Sequence, residues 1–388
     1  MSNNFNTVAK PGGNLCNVAC DYCFYLKNNV SRPACTVMDD ETLGAYIQNT
    51  IASTPSMSVE FCWQGGEPTL CGLAFFEQVV ALQQRYRGNK TIHNSLQTNG
   101  ILLDDKWARF LKENDFLVGL SIDGPASLHD AWRKTRAGKP SWKKVVQAIR
   151  CLQQHDVPVN AMVVVSHQSE TQGQTLYRCL TRKLDLRHIQ FIPLVEPAFP
   201  WSVTPEGWGE FLCAIFNEWL EQDVGEVFIQ FFDNLLGVWT GQPATLCTMQ
   251  PTCGQSLLVE KNGDVYSCDH FVSPEYKLGN LKQDSMAVLA SSPFQRQFGQ
   301  EKARLSSRCM NCHWRFACHG GCPKHRIIAE GNEAQNYLCE GYLAFFRHIT
   351  PYMNVMRTLL LNHQPPALVM KIAPEIRAQV VKLTESGE

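Results

Sequence analysis

Three cysteines near the start of the chain constrain its folding more than any other feature. Cys16, Cys20 and Cys23 follow a short apolar segment with the spacing C-x3-C-x2-C, so their thiols lie on one small loop. A structural zinc site is closed by four protein ligands and an iron–sulfur cluster usually takes four cysteines, so this loop leaves one ligand position vacant. The spacing alone also fits a zinc site completed by a distant residue, a disulfide with a spare thiol, or unrelated buried cysteines.

Cysteine is abundant throughout the chain, with 17 among 388 residues. The first residues lack a basic start and an apolar run, which predicts no secretory signal, and no apolar stretch reaches 18 residues. We therefore expect a cytoplasmic protein. Stable disulfides are rare in that reducing compartment, so metal or cluster ligation is the natural use of so many thiols.

Bulk charge does not select a partner for this chain. The formal net charge is -1, the pI is about 6.8, and 44% apolar with 18% charged residues is typical of a globular protein. Neither nucleic acid nor an anionic membrane is attracted by such a balance, and we predict neither as a partner. The length suffices for one large domain and a second, smaller one.

Apolar and amphipathic segments alternate from the N-terminus. This alternation predicts repeated strand–helix units, and hence an α/β fold with a parallel sheet and helices outside it. The predicted strands are residues 5–10, 59–63, 91–97, 116–122, 157–165 and 187–193. The predicted helices are residues 39–51, 73–86, 104–113, 142–155 and 175–183, and acidic residues stand at the starts of the first and third.

The unusual motifs all follow predicted strands. Cys16–Cys23 follows the first strand, Gly65–Pro68 the second, Gln97–Gly100 the third and Ser121–Pro125 the fourth. Ligands bind at the carboxyl edge of parallel strands in barrels and open α/β sheets. One Gly-Gly or Asn-Gly motif would be an ordinary turn, but four motifs on one rim predict a binding site.

A second group of cysteines lies in the C-terminal part of the chain. Asn262-Gly263 predicts a hairpin turn that places Cys268 at the end of a strand. Eight cysteines could complete two four-iron clusters or two zinc sites. They are Cys247, Cys253, Cys268, Cys309, Cys312, Cys318, Cys322 and Cys339.

Taken together, these motifs resemble radical S-adenosylmethionine (SAM) enzymes, whose three-cysteine loop carries aromatic residues at the positions of Tyr22 and Phe24. The C-terminal cysteines resemble the SPASM extension of peptide-modifying members. The motifs CDYCFYL, WQGGEPTL and LQTNG are most similar to the anaerobic sulfatase-maturating enzymes. This resemblance implies a partial (β/α)6 TIM-like barrel with a cysteine-rich extension, and oxidation of a sulfatase Cys or Ser to formylglycine.

The resemblance also implies three [4Fe-4S] clusters. Cys16, Cys20 and Cys23 would hold the first, whose open iron chelates SAM. Auxiliary cluster one would be held by Cys247, Cys253, Cys268 and Cys322, and auxiliary cluster two by Cys309, Cys312, Cys318 and Cys339.

Further site residues follow from the same resemblance. The SAM contacts would be Tyr22, Gly65, Gly66, Glu67, Ser121, Arg133 and Leu194, the last with Val195 beside the adenine unless both are core residues. Asp269 matches the family's base, although a carboxylate there could instead accept hydrogen bonds of the hairpin. Gln64 and Gln97 suit a peptide backbone because their amides both donate and accept hydrogen bonds.

The predicted organisation is a barrel at residues 1–200, a helical connector at 201–240, an auxiliary-cluster domain at 241–350 and a helical tail at 351–388. The short segment before Cys16 predicts no peptide-recognition domain ahead of the barrel. Expected partners are a sulfatase or other peptide before folding and a flavodoxin- or ferredoxin-type electron donor. Alternatives are a maturase forming thioether or carbon–carbon crosslinks in another peptide, and a zinc-stabilised binding protein. The other cysteines, predicted to pack in the core, are Cys35, Cys62, Cys71, Cys151, Cys179 and Cys213.

Overall fold

The computed structural model describes residues 5–23, 25, 37–330 and 333–386. Phe24 and Cys35, both named above, lie outside this part of the chain. The described residues form two compact units, each assembled from separate stretches of sequence. The first unit draws on Met1–Ile122, His129–Asn160 and Thr252–Ala303, and the second on Asp123–Leu128, Ala161–Pro251 and Arg304–Glu388.

The strands alternate with helices through the first half of the chain, as the sequence predicts. The strands are β1 (Asn6–Lys10), β2 (Val18–Cys20), β3 (Ser58–Trp63), β4 (Thr91–Thr98), β5 (Phe116–Ser121), β6 (Arg133–Thr135), β7 (Val159–Val165), β8 (His188–Pro193), β9 (Phe228–Ile229), β10 (Ser256–Glu260), β11 (Asp264–Tyr266), β12 (Lys277–Asn280), β13 (Arg326–Glu330) and β14 (Glu333–Asn336). All six predicted strands are present, as β1, β3, β4, β5, β7 and β8.

The longer helices also follow the prediction closely. The helices are α1 (Asp40–Ser53), α2 (Leu73–Tyr86), α3 (Asp105–Glu113), α4 (Ala126–Trp132), α5 (Trp142–Gln154), α6 (Gly173–Arg178), α7 (Pro205–Gln222), α8 (Gln230–Trp239), α9 (Met286–Ala290), α10 (Pro293–Glu301), α11 (Ser307–Met310), α12 (Arg315–Cys318), α13 (Cys339–Leu361) and α14 (Val369–Ser386). The fifth predicted helix is α6 continued by one wide turn, Cys179–Lys183.

Acidic side chains cap two of these helices as expected. Asp39 accepts a hydrogen bond from the Thr42 amide at 2.7 Å at the start of α1. Asp104 accepts from the amides of Lys106 and Trp107, both at 3.0 Å, at the start of α3. Such caps satisfy amides that have no partner inside the helix, and each contributes about 1 kcal/mol.

Parallel strands form the sheet of the first unit. β1 pairs with β3, β3 with β4 and β4 with β5, all in parallel. Alternate residues of β3 face the core, because Val59, Phe61 and Trp63 are buried. Trp63 is fully buried, and its indole N–H donates to the Asn94 side chain at 2.9 Å, which satisfies its one polar atom. The four motif loops therefore follow neighbouring strands at one edge of this sheet.

The hairpin around Asn262-Gly263 extends this sheet. β10 and β11 pair antiparallel across the turn, where Gly263 has a φ of 86°, so the predicted hairpin is confirmed. β10 also pairs in parallel with β1, from Asn6 opposite Ser256 to Lys10 opposite Glu260. The sequence does not predict this pairing, because about 250 residues separate the strands and nothing in their composition selects a partner. Glu260 thereby joins the rim.

The second unit contains three neighbouring strands and a helical core. β7, β8 and β9 follow one another in a sheet, and β8 pairs with β9 in parallel. α7, α8 and α13 pack through an aromatic cluster of Phe216, Phe232 and Phe345, whose ring centroids lie 5.4 to 6.1 Å apart. α7 lies within the segment at residues 201–240 that the sequence predicts to be helical. Among the described residues, we find no helix both long and apolar enough to cross a membrane.

The two compact units do not follow the predicted domain segments. Residues 252–303 belong to the same unit as the first 122 residues, although the sequence assigns them to the auxiliary-cluster segment. The boundaries near residues 200, 240 and 350 remain predictions.

Candidate active site

The three-cysteine loop lies at the rim of the first unit. Cys16 and Cys23 flank β2, and Cys20 is the last residue of that strand. The three thiols are partly exposed, so a ligand can reach them. β2 pairs antiparallel with β6, which places Cys20 directly opposite Arg133. These three-residue strands are too short for a periodicity signal, and the sequence did not predict their pairing.

Polar groups surround the first cysteine of the loop. The Val18 amide donates to Cys16 Sγ at 3.4 Å, and the Asn99 amide group approaches the same sulfur at 3.8 Å. Asn99 also donates to Asn17 Oδ1 at 2.7 Å, and Arg136 Nε donates to the Cys16 carbonyl at 2.5 Å. Hydrogen bonds to a ligating sulfur orient it and tune the potential of a cluster. Sequence analysis identified the TNG motif but not this function of Asn99.

The glycine pair after β3 packs against the cysteine loop through its backbone. The Gly66 amide donates to the Gly13 carbonyl at 2.8 Å, and the Glu67 amide donates to the Leu15 carbonyl at 2.7 Å. A Cβ at position 66 would lie 2.1 Å from the Leu15 carbonyl oxygen, and Gly65 has a φ of 126°. Only glycine fits at either position. Because these amides are engaged, a ligand amino group would meet carbonyl oxygens here, as a donor requires.

The Glu67 carboxylate is buried and joins two loops. Its Oε1 accepts from Thr69 N at 3.0 Å, Thr69 Oγ1 at 2.6 Å and Thr98 Oγ1 at 2.7 Å. Its Oε2 accepts from the Asn99 amide at 2.7 Å. Burial raises the pKa of Glu67, while these hydrogen bonds lower it in opposition. The carboxylate therefore fixes the loop after β3 to the loop after β4.

Three predicted SAM contacts are Tyr22 and Arg133, which lie beside the cysteine loop, and Ser121, which lies on β5. Ser121 ends β5 and is buried. The Arg133 guanidinium lies 5.6 Å from the centroid of the Tyr22 ring, and that ring contacts Trp132 at 6.4 Å. Ser141 donates to the Arg133 carbonyl, which anchors β6. The structure thus brings Tyr22 and Arg133 together beside Cys20.

Gln64 and Gln97 occupy neighbouring positions at the same edge. Trp63 lies opposite Leu96 in the register of β3 and β4. Gln64 directly follows β3, and Gln97 is the next residue of β4. Both are partly exposed. Their amides are therefore available to a peptide at the rim.

Asp269 adjoins a cysteine of the first unit. Cys268 Sγ donates to Asp269 Oδ1 at 3.6 Å, and His270 Nε2 lies 3.9 Å from the same oxygen. The Asp269 side chain is 28% exposed. It therefore combines a defined position with access to a ligand.

Four cysteines of the second unit line one cavity. They are Cys309, Cys312, Cys318 and Cys339, with Trp314, Tyr342 and Phe346 among the other lining residues. Burial, with smaller contributions from the neighbouring thiolates of the set, raises the pKa of Cys318 to about 12 and that of Cys339 to about 11. The predicted ligands of auxiliary cluster two therefore line one cavity, together with aromatic side chains and with Arg308 and Arg315.

Two family models match the chain. The radical SAM superfamily matches residues 11–180, and an iron–sulfur cluster-binding domain matches residues 247–313. The serine-type anaerobic sulfatase-maturating enzyme of Bacteroides thetaiotaomicron is 43% identical and covers 94% of each chain. The cysteine-type enzyme of Clostridium perfringens is 34% identical over 89% of this chain and 96% of its own.

The chain belongs to the anaerobic sulfatase-maturating enzyme family.

Solved structures support the same family. Native anSMEcpe with bound AdoMet and the Kp18Cys peptide has a TM-score of 0.85 at 33% identity, covering 91% of this chain and 99% of that one. SuiB of Streptococcus suis bound to S-adenosylmethionine has a TM-score of 0.62 at 14% identity, covering 87% and 78%, and shares the fold alone. The predicted α/β fold, the radical SAM enzyme class and the iron–sulfur cofactors are confirmed, so the zinc-stabilised binding protein is excluded.

The cysteine sets of this maturase-family chain suit clusters better than single zinc ions. A tetrahedral zinc–thiolate site has sulfurs about 3.8 Å apart, given zinc–sulfur bonds of about 2.3 Å. Within the described ranges, the one group of three or more ligand atoms all within 4.8 Å of one another is Asp105, Cys151 and His155. None of the predicted cluster ligands belongs to that group, and the four thiols that line the cavity of the second unit are the number that a four-iron cluster takes.

Four cysteines are predicted to hold auxiliary cluster one. Cys253 and Cys268 belong to the first unit, and Cys247 and Cys322 to the second. The Cys253 amide donates to the Gly299 carbonyl at 3.1 Å, and Cys268 forms a short antiparallel bridge with Phe271. The composition of this ligand set remains a proposal.

Leu194 follows β8 in the second unit. Its amide donates to the Val165 carbonyl at 2.9 Å, and its own carbonyl accepts from the Val203 amide at 2.9 Å. Its side chain and that of Val195 are partly buried. Their contact with an adenine remains a proposal.

The site of this maturase-family chain also includes a buried polar group that sequence analysis missed. Lys10 is 2% exposed, and its ammonium lies 3.7 Å from the centroid of the Tyr25 ring. The Tyr25 hydroxyl contacts both carboxylate oxygens of Glu260 at 2.9 Å, and burial raises the pKa of that carboxyl. Lys10 and Glu260 are opposite residues of β1 and β10. A lysine within an apolar segment was the available signal, but its partner depends on the unpredicted pairing.

The charge of Lys10 connects this group to the predicted site. Burial lowers the pKa of Lys10, and this effect outweighs the charges of Asp269 and Glu260, which raise the pKa. The thiolates of Cys23 and Cys268 act in the same direction as those carboxylates. One buried cation therefore faces a ligand of each of two proposed clusters and the proposed base.

Proposed function

We propose that this chain oxidises a serine or cysteine of an unfolded sulfatase segment to formylglycine. The observation that supports it best is the position of Asp269 in the same unit as the three-cysteine loop. The carboxylate is partly exposed, adjoins Cys268 and faces the charge of Lys10. Formylglycine formation needs a base at the target side chain, in addition to a hydrogen-atom acceptor and an electron acceptor.

The cofactors supply the radical chemistry, and the protein supplies their ligands. When bound, SAM and the iron–sulfur clusters provide the hydrogen-atom acceptor and the electron acceptor. We propose three [4Fe-4S] clusters with the ligand sets given above. Arg133 would bind a SAM carboxylate with its two-pronged guanidinium, and the carbonyl oxygens of the Gly65-Gly66 segment would accept from the amino group.

The base accepts the proton that the oxidation releases. Serine loses one β-hydrogen atom, the hydroxyl proton and one electron, and its Cβ–O single bond becomes a carbonyl. Asp269 would accept the proton. For cysteine the same loss gives a thioaldehyde, which water converts to the aldehyde with release of hydrogen sulfide. Gln64 and Gln97 would hold the peptide backbone beside these groups.

We propose that serine peptides are substrates of this chain. The serine-type relative is 43% identical over 94% of the chain, whereas the cysteine-type relative is 34% identical over 89%. The two chemistries share the hydrogen abstraction and differ in the acidity of the group that the base deprotonates, since a thiol ionises more readily than an alcohol.

The decisive experiment is an anaerobic assay of the reconstituted enzyme with SAM and a reductant. Two sulfatase-derived peptides are compared, identical except for Ser or Cys two residues before a proline. Mass spectrometry should show a loss of about 2 Da from the serine peptide, or about 18 Da from the cysteine peptide, with matching 5′-deoxyadenosine, since the cofactor performs the oxidation. Formation of 5′-deoxyadenosine with both peptides unchanged would overturn the substrate assignment and leave the radical SAM class intact.

The expected setting and electron source follow from the same chemistry. We infer action in the cytoplasm on a sulfatase that has not yet folded, with a flavodoxin- or ferredoxin-type electron donor. Replacing a chemical reductant by a purified flavodoxin and its reductase should sustain turnover. Absence of turnover with either class of donor protein would contradict this inference.

A further inference from the structure

A second group of metal-ligating side chains lies away from the cluster cysteines, on the helices of the first unit. Asp105 is in the first turn of α3, Cys151 is in the last turn of α5, and His155 follows that helix directly. The i, i+4 spacing of Cys151 and His155 places both on one helix face. Sequence analysis assigned Cys151 to the core, and this prediction is wrong because the residue is only partly buried.

The three ligand atoms are close together. His155 Nε2 lies 3.0 Å from Asp105 Oδ1, and Cys151 Sγ lies 3.7 Å from the same oxygen. All three atoms are within 4.8 Å of one another. A tetrahedral zinc ion with bonds of about 2.0 to 2.3 Å needs ligand atoms about 3.3 to 3.8 Å apart. Side-chain shifts of about an ångström would therefore meet that geometry.

We propose that Asp105, Cys151 and His155 bind one zinc ion, separately from the iron–sulfur clusters. A thiolate and an imidazole favour zinc over magnesium or calcium, which prefer oxygen ligands. The Asp105 side chain is 67% exposed and that of His155 is 25% exposed, so water has access to the fourth position. The ion would join the start of α3 to the end of α5 and stabilise the first unit.

The backbone holds these ligands in place. Asp104, the preceding residue, caps α3 and thereby fixes the turn that carries Asp105. The His155 amide donates to the Cys151 carbonyl at 3.3 Å and closes the end of α5. The start of α3 and the end of α5 are thus ordered without the ion, which lowers the entropy cost of binding it.

Charges of both signs surround the group. Burial and the Asp105 charge raise the pKa of Cys151, and Asp104 adds to this effect. His155 and Arg109 lower the pKa of Asp105, which stays ionised. A carboxylate beside the thiol favours a cation at the site, whereas the Arg109 charge opposes one.

The test measures zinc in the cluster-reconstituted enzyme after equilibrium dialysis against micromolar zinc chloride. Iron and sulfide are determined in the same samples, so that clusters are known to be complete. The wild type should retain one zinc ion more than Cys151→Ser and His155→Ala, and should melt at a higher temperature with zinc than without. Magnesium chloride at the same concentration should have no effect. Matched controls are Cys213→Ser, in α7, and His93→Gln, an exposed residue of β4. Both should bind zinc as the wild type does.

X-ray absorption at the zinc edge identifies the ligands independently of stability. One sulfur at about 2.3 Å with nitrogen and oxygen ligands at about 2.0 to 2.1 Å is expected. Four sulfur ligands would show zinc replacing iron in a cluster site and would overturn the proposal. Equal zinc retention by the wild type and both ligand variants would overturn it as well, and would leave Asp105 and His155 as an ion pair only.

Discussion

Cysteine thiols are the predicted cluster ligands in both the three-cysteine loop and the four-cysteine cavity, but the side chains around the thiols differ. The loop is bordered by polar groups, including Asn99, Arg133 and the Glu67 carboxylate, and its chemistry has one ligand position to spare. The cavity supplies four thiols beside the aromatic rings of Trp314, Tyr342 and Phe346, with Arg308, Arg315 and Asn336 also in its lining. The side chains around a cluster tune its potential and its access to solvent. We therefore propose that these surroundings, rather than the cysteines themselves, separate binding of SAM at the loop from electron transfer at the cavity.

Replacing one cysteine in each region should give the largest effects and tests whether the loop and the cavity have separate roles. Cys20→Ala should abolish SAM cleavage, because the cluster that binds SAM loses a ligand. Cys312→Ala should retain SAM cleavage and lose formylglycine formation, because only the electron acceptor is damaged. Both products are measured in one assay by chromatography and mass spectrometry. If the two variants lose 5′-deoxyadenosine equally, the division of roles is wrong.

Asp269→Asn should separate proton transfer from radical formation. Formylglycine formation should fall by about 10²- to 10⁴-fold, the usual contribution of a general base. Cleavage of SAM to 5′-deoxyadenosine should continue, because the cysteine loop is intact. Glu275→Gln, an exposed carboxylate nearby in sequence, is the matched control. Full activity of Asp269→Asn would assign the carboxylate to hairpin structure alone.

Glu67→Gln should show how far the polar loop depends on its internal hydrogen bonds. The glutamine oxygen can replace Oε1, but its NH2 group would then face the Asn99 amide, leaving buried donors opposed. Such a loss costs about 1 to 3 kcal/mol. We expect a lower melting temperature of the holoenzyme and weaker SAM binding, with exposed Glu60→Gln on β3 unchanged. An unaltered melting temperature would show that these hydrogen bonds add little stability.

The stability of the second unit should depend on pH through His348, whose ring packs against Phe216 of the aromatic cluster. This is the smallest of the expected effects. His348 Nε2 lies 2.8 Å from Asn217 Oδ1, and burial, with Arg377, lowers the pKa of the imidazole below 6.5. The unfolded chain then binds more protons between the two pKa values, so stability rises with pH through this window and is lost on acidification. His348→Gln should reduce the difference in melting temperature between pH 7.5 and 5.5. An unchanged difference would assign acid sensitivity to other groups.

Local pattern predicted the regular elements of this chain well. Period-two burial in β3 and acidic caps at Asp39 and Asp104 act within a few residues, and the corresponding elements appeared close to their expected bounds. The cysteine spacings and the GGEP motif were visible for the same reason. The roles of these residues in catalysis remain proposals.

Long-range pairing explains what the sequence did not show. Arg133 lies opposite Cys20 only because two three-residue strands pair, and Lys10 meets Glu260 only because β1 pairs with β10. Cys151 follows an apolar helix pattern, yet its sulfur lies beside a carboxylate from another helix. Such contacts depend on tertiary packing, which spacing along the chain does not encode.

The pairing of β1 with β10 bears on how the protein is synthesised. The ribosome releases β1 about 250 residues before β10. Until then one edge of β1 exposes unpaired backbone amides and carbonyls, which can pair with another nascent chain. A fragment ending near residue 200 should therefore aggregate or require a chaperone, although it contains every proposed ligand of the first cluster. Completion of the sheet, and burial of Lys10 against Glu260, must await most of translation.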